Sequence, residues 1–132
     1  MKETNWDDCL NNKARKITPD LERAKSLLGV AKERMNLFDK VTKINCNFIF
    51  EDYYTSLIEV IQSTAFKEGF NILNHVCLGY FLRDFMKRND LFLQFEDLRY
   101  KRNSLTYYGN KMEFLIAKDA INKCEKLINE LS

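Results

Sequence analysis

In 132 residues the chain carries 21 basic and 19 acidic side chains, a formal net charge of +2, so it lacks the basic excess of a dedicated nucleic-acid binder. One proline and four glycines supply little material for turns, which argues against a many-stranded sandwich or barrel. The single histidine, His75, excludes two-histidine zinc sites and a His-Glu-x-x-His helix.

Residues 6–16 predict a short leading helix around Trp6 and Leu10. Thr18-Pro19-Asp20 reads as the start of a long helix. Thr18 would cap it, Pro19 suits its first position because that amide has no helical partner, and Asp20 and Glu22 favour the positive end of the dipole. Leu21, Ala24, Leu28, Ala31, Met35 and Phe38 follow at spacings of three and four, one apolar stripe. After a break near Asn45-Cys46-Asn47, the residues Tyr53, Tyr54, Leu57, Ile58, Ile61 and Ala65 keep helical period to about residue 68. Gly69 is placed to end that helix in the left-handed region. Asn71 would cap a further helix with Leu73, Val76, Cys77, Tyr80, Phe81 and Phe85 facing inward, ending near Asn89. A helix over 90–108 stops at Gly109, and Asn110 with Glu113 forms a capping-box-like start to the last one. That helix buries Phe114, Ala117, Ile121, Cys124, Ile128 and Leu131. The expected fold class is all-α, an antiparallel four-helix up-and-down bundle with an extra short N-terminal helix, as one domain over residues 1–132.

No apolar run approaches the roughly 18 to 20 residues that span a bilayer, and the first residues lack the apolar core of a signal peptide. A cytoplasmic protein without membrane association is expected. Cys9, Cys46, Cys77 and Cys124 show no Cys-x-x-Cys pair, and three of them lie among apolar residues at helical spacing. They read as small core residues in a reducing compartment, with no metal or redox role. No cofactor is expected.

The helix over 90–108 breaks the pattern. Leu91, Phe95, Leu98 and Leu105 share its core stripe at 100° per residue, and Arg102 falls inside that stripe. Roughly opposite lie Phe92, Glu96, Tyr100, Asn103 and Tyr107, a face neither plainly polar nor plainly core. A guanidinium on a core stripe needs a carboxylate, carbonyl or phosphate partner, because an unpaired buried charge costs several kcal/mol. Arg102 is therefore either structural, snorkelling past the helix end or pairing with a neighbouring glutamate, or an anion-binding or catalytic group in a cleft between helices. Composition alone favours the structural role.

The segment Leu98-Arg99-Tyr100-Lys101-Arg102-Asn103-Ser104-Leu105-Thr106-Tyr107-Tyr108-Gly109 resembles the signature of HEPN domains. These are bundles of four or five helices whose motif is an arginine, commonly followed by asparagine, with a histidine four to six residues on. The resemblance implies a metal-independent ribonuclease, often a toxin paired with a nucleotidyltransferase-type antitoxin, and a homodimer whose two motifs face a shared cleft. Arg102 matches the family arginine and Asn103 the polar residue after it. Tyr107 stands where the histidine belongs.

That departure shifts the expected function from cleavage to binding. Metal-free RNA cleavage needs a base, an acid and positive charge on the phosphate. A tyrosine with an ordinary pKa near 10 is a poor base at neutral pH, whereas a histidine near 6.5 suits the task. His75 is expected as a hydrogen-bonded structural histidine rather than a relocated catalytic one. The expectation is a catalytically degenerate HEPN-like homodimer that binds RNA, a nucleotide or a protein. The first alternative is an active ribonuclease using Arg102, Asn103 and Tyr107, with or without help from His75; the second is a purely structural helical module. Phe92, Glu96, Arg99, Tyr100 and Tyr108, around Tyr107, are the candidate binding or dimer surface, because Tyr, Phe and Arg are enriched at interfaces and stack on bases.

Overall fold

The computed structural model of the protein describes residues 2–37 and 40–132. It is mostly helical, with one two-stranded sheet. In chain order it comprises helix α1 (Trp6–Asn12), strand β1 (Ala14–Lys16), helices α2 (Leu21–Met35) and α3 (Cys46–Glu68), strand β2 (Phe70–Ile72), and helices α4 (His75–Tyr80), α5 (Asn89–Tyr108) and α6 (Phe114–Leu131). Phe38, the last position of the expected stripe in α2, lies outside the described residues.

The central element is α3. Its apolar residues point in nearly every direction, and Phe50, Tyr54, Leu57, Ile61 and Ala65 are all fully buried. A helix apolar all round must be covered all round; α2 and α6 take the largest shares, with α5, β2 and α4 over the rest. Small residues bring α2 close. Ala24 and Ala31 are buried at the seam, and their carbonyls accept from the hydroxyls of Ser63 (2.6 Å) and Ser56 (3.0 Å). Arg34 of α2 donates to both Ser56 and Glu59 and forms an ion pair with Glu59.

Several helix boundaries differ from the sequence expectation, each for a local reason. Thr18 and Pro19 stand outside α2, whose cap is Asp20, its carboxylate accepting from the Arg23 N–H at 3.0 Å. The Ile17 N–H bonds the Gly69 carbonyl and the Asp20 N–H bonds the Phe66 carbonyl, so residues 17–20 are drawn along the end of α3 before α2 begins. Gly69 does end α3, at φ +88°, and a Cβ there would sit 2.9 Å from the Ile17 carbonyl. The leading helix stops at Asn12. Its expected second half is instead β1, paired antiparallel to β2 in the register Ala14 to Ile72 and Lys16 to Phe70.

That pairing moves the next boundary. Asn71 lies in the middle of β2, and Asn74 caps α4 by accepting from the Cys77 N–H at 3.0 Å. Leu73 is consequently exposed rather than inward. The single helix expected to run to Asn89 is α4 followed by a π-helical turn, Phe81–Phe85, in which the Met86 N–H reaches the Phe81 carbonyl. Phe85 is partly exposed. Phe81 stays buried, and Trp6 packs edge-on against it and Phe70 at 5.5 and 5.2 Å. At the last helix the expected capping box is absent. Asn110 donates to Ser104, and Glu113 flanks α6 with no side-chain bond to its first turn.

The cysteine expectation fails for one pair. Cys9 of α1 and Cys77 of α4 form a disulfide, while Cys46 and Cys124 are free and buried. Neither partner has a local signal, since 68 residues separate them and only the fold brings α1 onto α4. Among the described residues no helix is long and apolar enough to cross a membrane.

Candidate functional site

The C-terminal half of α5 and the start of α4 border an open cleft of roughly 390 Å3, lined by Asn74, His75, Val76, Arg99, Arg102, Asn103 and Tyr107. The two helices meet closely because Gly79 of α4 faces α5. A Cβ at Gly79 would lie 3.1 Å from the Glu96 carboxylate and 3.4 Å from the Phe92 ring. Leu91, Phe95, Leu98 and Leu105 anchor α5 in the core, as their stripe requires, and this turns Arg102 toward the buried Tyr54 of α3.

Arg102 is half-buried and has no carboxylate partner among the described residues. Its guanidinium lies near two rings, 5.5 Å from the centre of Tyr54 and 5.4 Å from that of Tyr107, at the distance of cation–π attraction. It donates to the Asn103 side-chain oxygen at 3.4 Å and to the Tyr107 hydroxyl at 3.2 Å. All these partners are neutral, so the positive charge is oriented without being cancelled. The adjacent cations differ. Arg99 forms a two-pronged pair with Glu96 (2.8 and 3.0 Å), and Lys101 pairs with Asp97. The Glu96 hydrogen bonds hold the Arg99 guanidinium charged, against the cost of its partial burial.

His75 enters the same cleft. Its Nδ1 is 3.1 Å from the Tyr54 hydroxyl, which has no other partner among the described residues. Burial pushes the Tyr54 phenol well above its ordinary range, against the opposing pull of Arg102 and Arg99, so it stays protonated. A buried O–H requires an acceptor; the tautomer that satisfies it accepts at Nδ1 and carries its proton on Nε2. Burial lowers the His75 pKa, and the positive charges of Arg102 and Arg99 lower it further, so the ring is neutral at neutral pH. In that state it offers an N–H donor and no free lone pair.

The structure thus brings together Arg102, Asn103, Tyr107 and Arg99 from the motif and adds His75, Asn74 and Tyr54 from two other helices. The remaining candidates are elsewhere or otherwise engaged. Phe92 is half-buried, stacked on Tyr80 at 6.0 Å with Arg83 on its ring at 5.1 Å. Glu96 is held by Arg99. Tyr100 and Tyr108 are exposed and do not line the cleft, whereas Tyr107, 68% exposed, forms its rim. The sequence treated His75 as peripheral to the motif. The Asn74 cap that sets its position becomes legible only when 70–72 is recognised as a strand.

The assembled groups suit an anion. One uncancelled guanidinium, a second paired with Glu96, the His75 imidazole and the Asn103 amide border a recess with the Tyr107 ring at its rim, groups of the kind that hydrogen-bond phosphate. Among the described residues no group of three or more His, Cys, Asp or Glu side chains is placed to hold a metal ion. Comparison with protein-family models, with curated proteins and with solved structures found no match, so the resemblance to HEPN domains rests on the Arg102-Asn103 motif and its place late in the helical order.

Proposed function

We propose that the protein is a HEPN-like four-helix up-and-down bundle acting as a homodimeric binding module for single-stranded RNA, with the Arg102 cleft as its phosphate site. The observation that carries this reading is the half-buried guanidinium of Arg102, held by neutral groups only. A charge kept so is spare for an external anion, because no carboxylate among the described residues competes for its donors. The packing of α3 against α2, α6 and α5 supports the bundle, and exposed Tyr100, Tyr107 and Tyr108 on one end of α5 supply the dimer face. A reducing cytoplasm, the compartment proposed here, would hold Cys9 and Cys77 as thiols; trapping their redox state in cells by alkylation tests that placement.

A ribonuclease reading is favoured by one observation, the arrival of His75 beside Arg102. It is opposed by another, since with Nδ1 accepting from Tyr54 the neutral ring has no lone pair to take a 2′-hydroxyl proton. The test follows labelled single-stranded RNA in EDTA with wild type and Arg102→Ala. Salt-dependent binding without cleavage, weakened at least about tenfold in the variant, supports the module. Cleavage that disappears with Arg102 would replace it by the nuclease, and neither binding nor cleavage would leave a structural module. Sedimentation tests the dimer, which Tyr107→Arg should dissociate; a wild-type monomer at micromolar concentration refutes it.

A further inference from the structure

The Arg102 cleft continues beyond the motif. Through Asn74, Val76 and Arg99 it opens into a second groove bordered by Lys2, Lys13 and Tyr80. Lys13 also lines a third recess, next to Arg15 and Lys16 of β1 and the exposed apolar side chains of Leu10 and Leu73. Six cations, Arg102, Arg99, Lys2, Lys13, Arg15 and Lys16, thus line three recesses, the first two adjoining at Asn74, Val76 and Arg99 and the second and third meeting at Lys13. Glu3 is the one carboxylate among their described lining residues. In a chain with 21 basic and 19 acidic side chains this is a strong local sorting of charge.

We propose that α1, β1 and the turn between them form the second limb of a track for single-stranded RNA. The Arg102 cleft takes one phosphodiester, and Lys13, Arg15 and Lys16 take phosphates further along the same strand. The proposal rests on the phosphate reading of the cleft and extends it from a single anion to a polymer. Three features carry the extension. The run is longer than any one phosphate requires. It is recessed, which admits a strand and excludes the flat face of a bilayer. Exposed apolar Leu10 and Leu73 lie beside the cations of the far limb, so a base has apolar surface to cover next to the charges that meet its backbone. The two limbs adjoin because α1, which leads into the far one, packs against α4, which borders the near one.

The test measures anisotropy of a labelled uridine trimer and a labelled uridine dodecamer in EDTA. With wild type the dodecamer binds at least about tenfold more tightly and with a steeper salt dependence, as more phosphates are neutralised. The variant Lys13→Glu/Arg15→Glu/Lys16→Glu brings the dodecamer to the affinity of the trimer and leaves the trimer unchanged. Lys16→Glu alone, at an exposed strand position, removes part of the gain without threatening the fold. A dodecamer no tighter than the trimer, or a length gain that survives both variants, overturns the track while leaving the cleft intact. Arg102→Ala separates the two levels: if both oligomers bind it as they bind wild type, the phosphate cleft itself is wrong and the track falls with it.

Discussion

Two half-buried arginines reach α3 from different helices, and their surroundings set the two sides of the molecule apart. At the α2–α3 seam Arg34 meets Glu59 and Ser56, small residues bring the helices together, and two serine hydroxyls satisfy the alanine carbonyls. At the α4–α5 cleft Arg102 meets two aromatic rings, an amide oxygen and a phenol. The seam is complete within the chain. The cleft leaves its charge unanswered, and one of its two walls is the six-residue α4, which the Cys9–Cys77 disulfide joins to α1. Charges paired within the chain close a seam, whereas an oriented but uncancelled one is a candidate binding group.

The comparison breaks first at the disulfide. Cys9→Ser/Cys77→Ser should lower unfolding free energy by about 2–4 kcal/mol in urea, the usual cost of releasing a long loop. The loss of hydrogen-exchange protection should concentrate in α1, β1 and α4 and spare the α2–α3 seam. Uniform loss across both regions would show that the two sides are not separable in this way.

Removing the paired arginine should have the next largest effect. Arg34→Ala strands the Glu59 carboxylate and removes the contact to Ser56 in a partly buried seam, at a cost of about 1–3 kcal/mol in the same urea experiment. Arg102→Ala, which strands no carboxylate, should cost no more than about 1 kcal/mol, chiefly lost cation–π contact. Equal costs for the two variants would erase the distinction.

The smallest effect is a pH dependence. The folded-state pKa of His75 is depressed, by burial first and then by Arg102 and Arg99, with the Tyr54 phenol as its hydrogen-bond partner. Below the unfolded pKa of about 6.5 the unfolded chain therefore binds the proton more readily, and stability falls with pH until the folded ring also titrates. His75→Gln should remove this slope just below pH 6.5, seen as a smaller change in urea midpoint than wild type shows. An unchanged slope would place the sensitivity elsewhere.

Much of the helical order was legible because it follows from period and punctuation. The stripe in α6, the left-handed stops at Gly69 and Gly109, and the core face of α5 with Arg102 inside it are local signals, and each residue reports its own neighbours three and four places away. The illegible parts are non-local. Strand β1 exists because Phe70–Ile72 lies beside it, Thr18 and Pro19 leave α2 because α3 supplies partners to residues 17–20, and Cys9 finds Cys77 across 68 residues. The cleft divides along the same line. Arg102, Asn103 and Tyr107 share one stretch of helix and could be read together, but His75 and Tyr54 join them only through the packing of α3, α4 and α5.

The central claim, that Arg102 is held ready for a phosphate, is tested most directly by one paired measurement on Arg102→Ala: its urea midpoint and its affinity for a single-stranded RNA dodecamer in EDTA. The account predicts a midpoint close to wild type with affinity reduced at least about tenfold and a shallower salt dependence. A variant that loses stability like Arg34→Ala yet binds the dodecamer as well as wild type would contradict it, because Arg102 would then be structural.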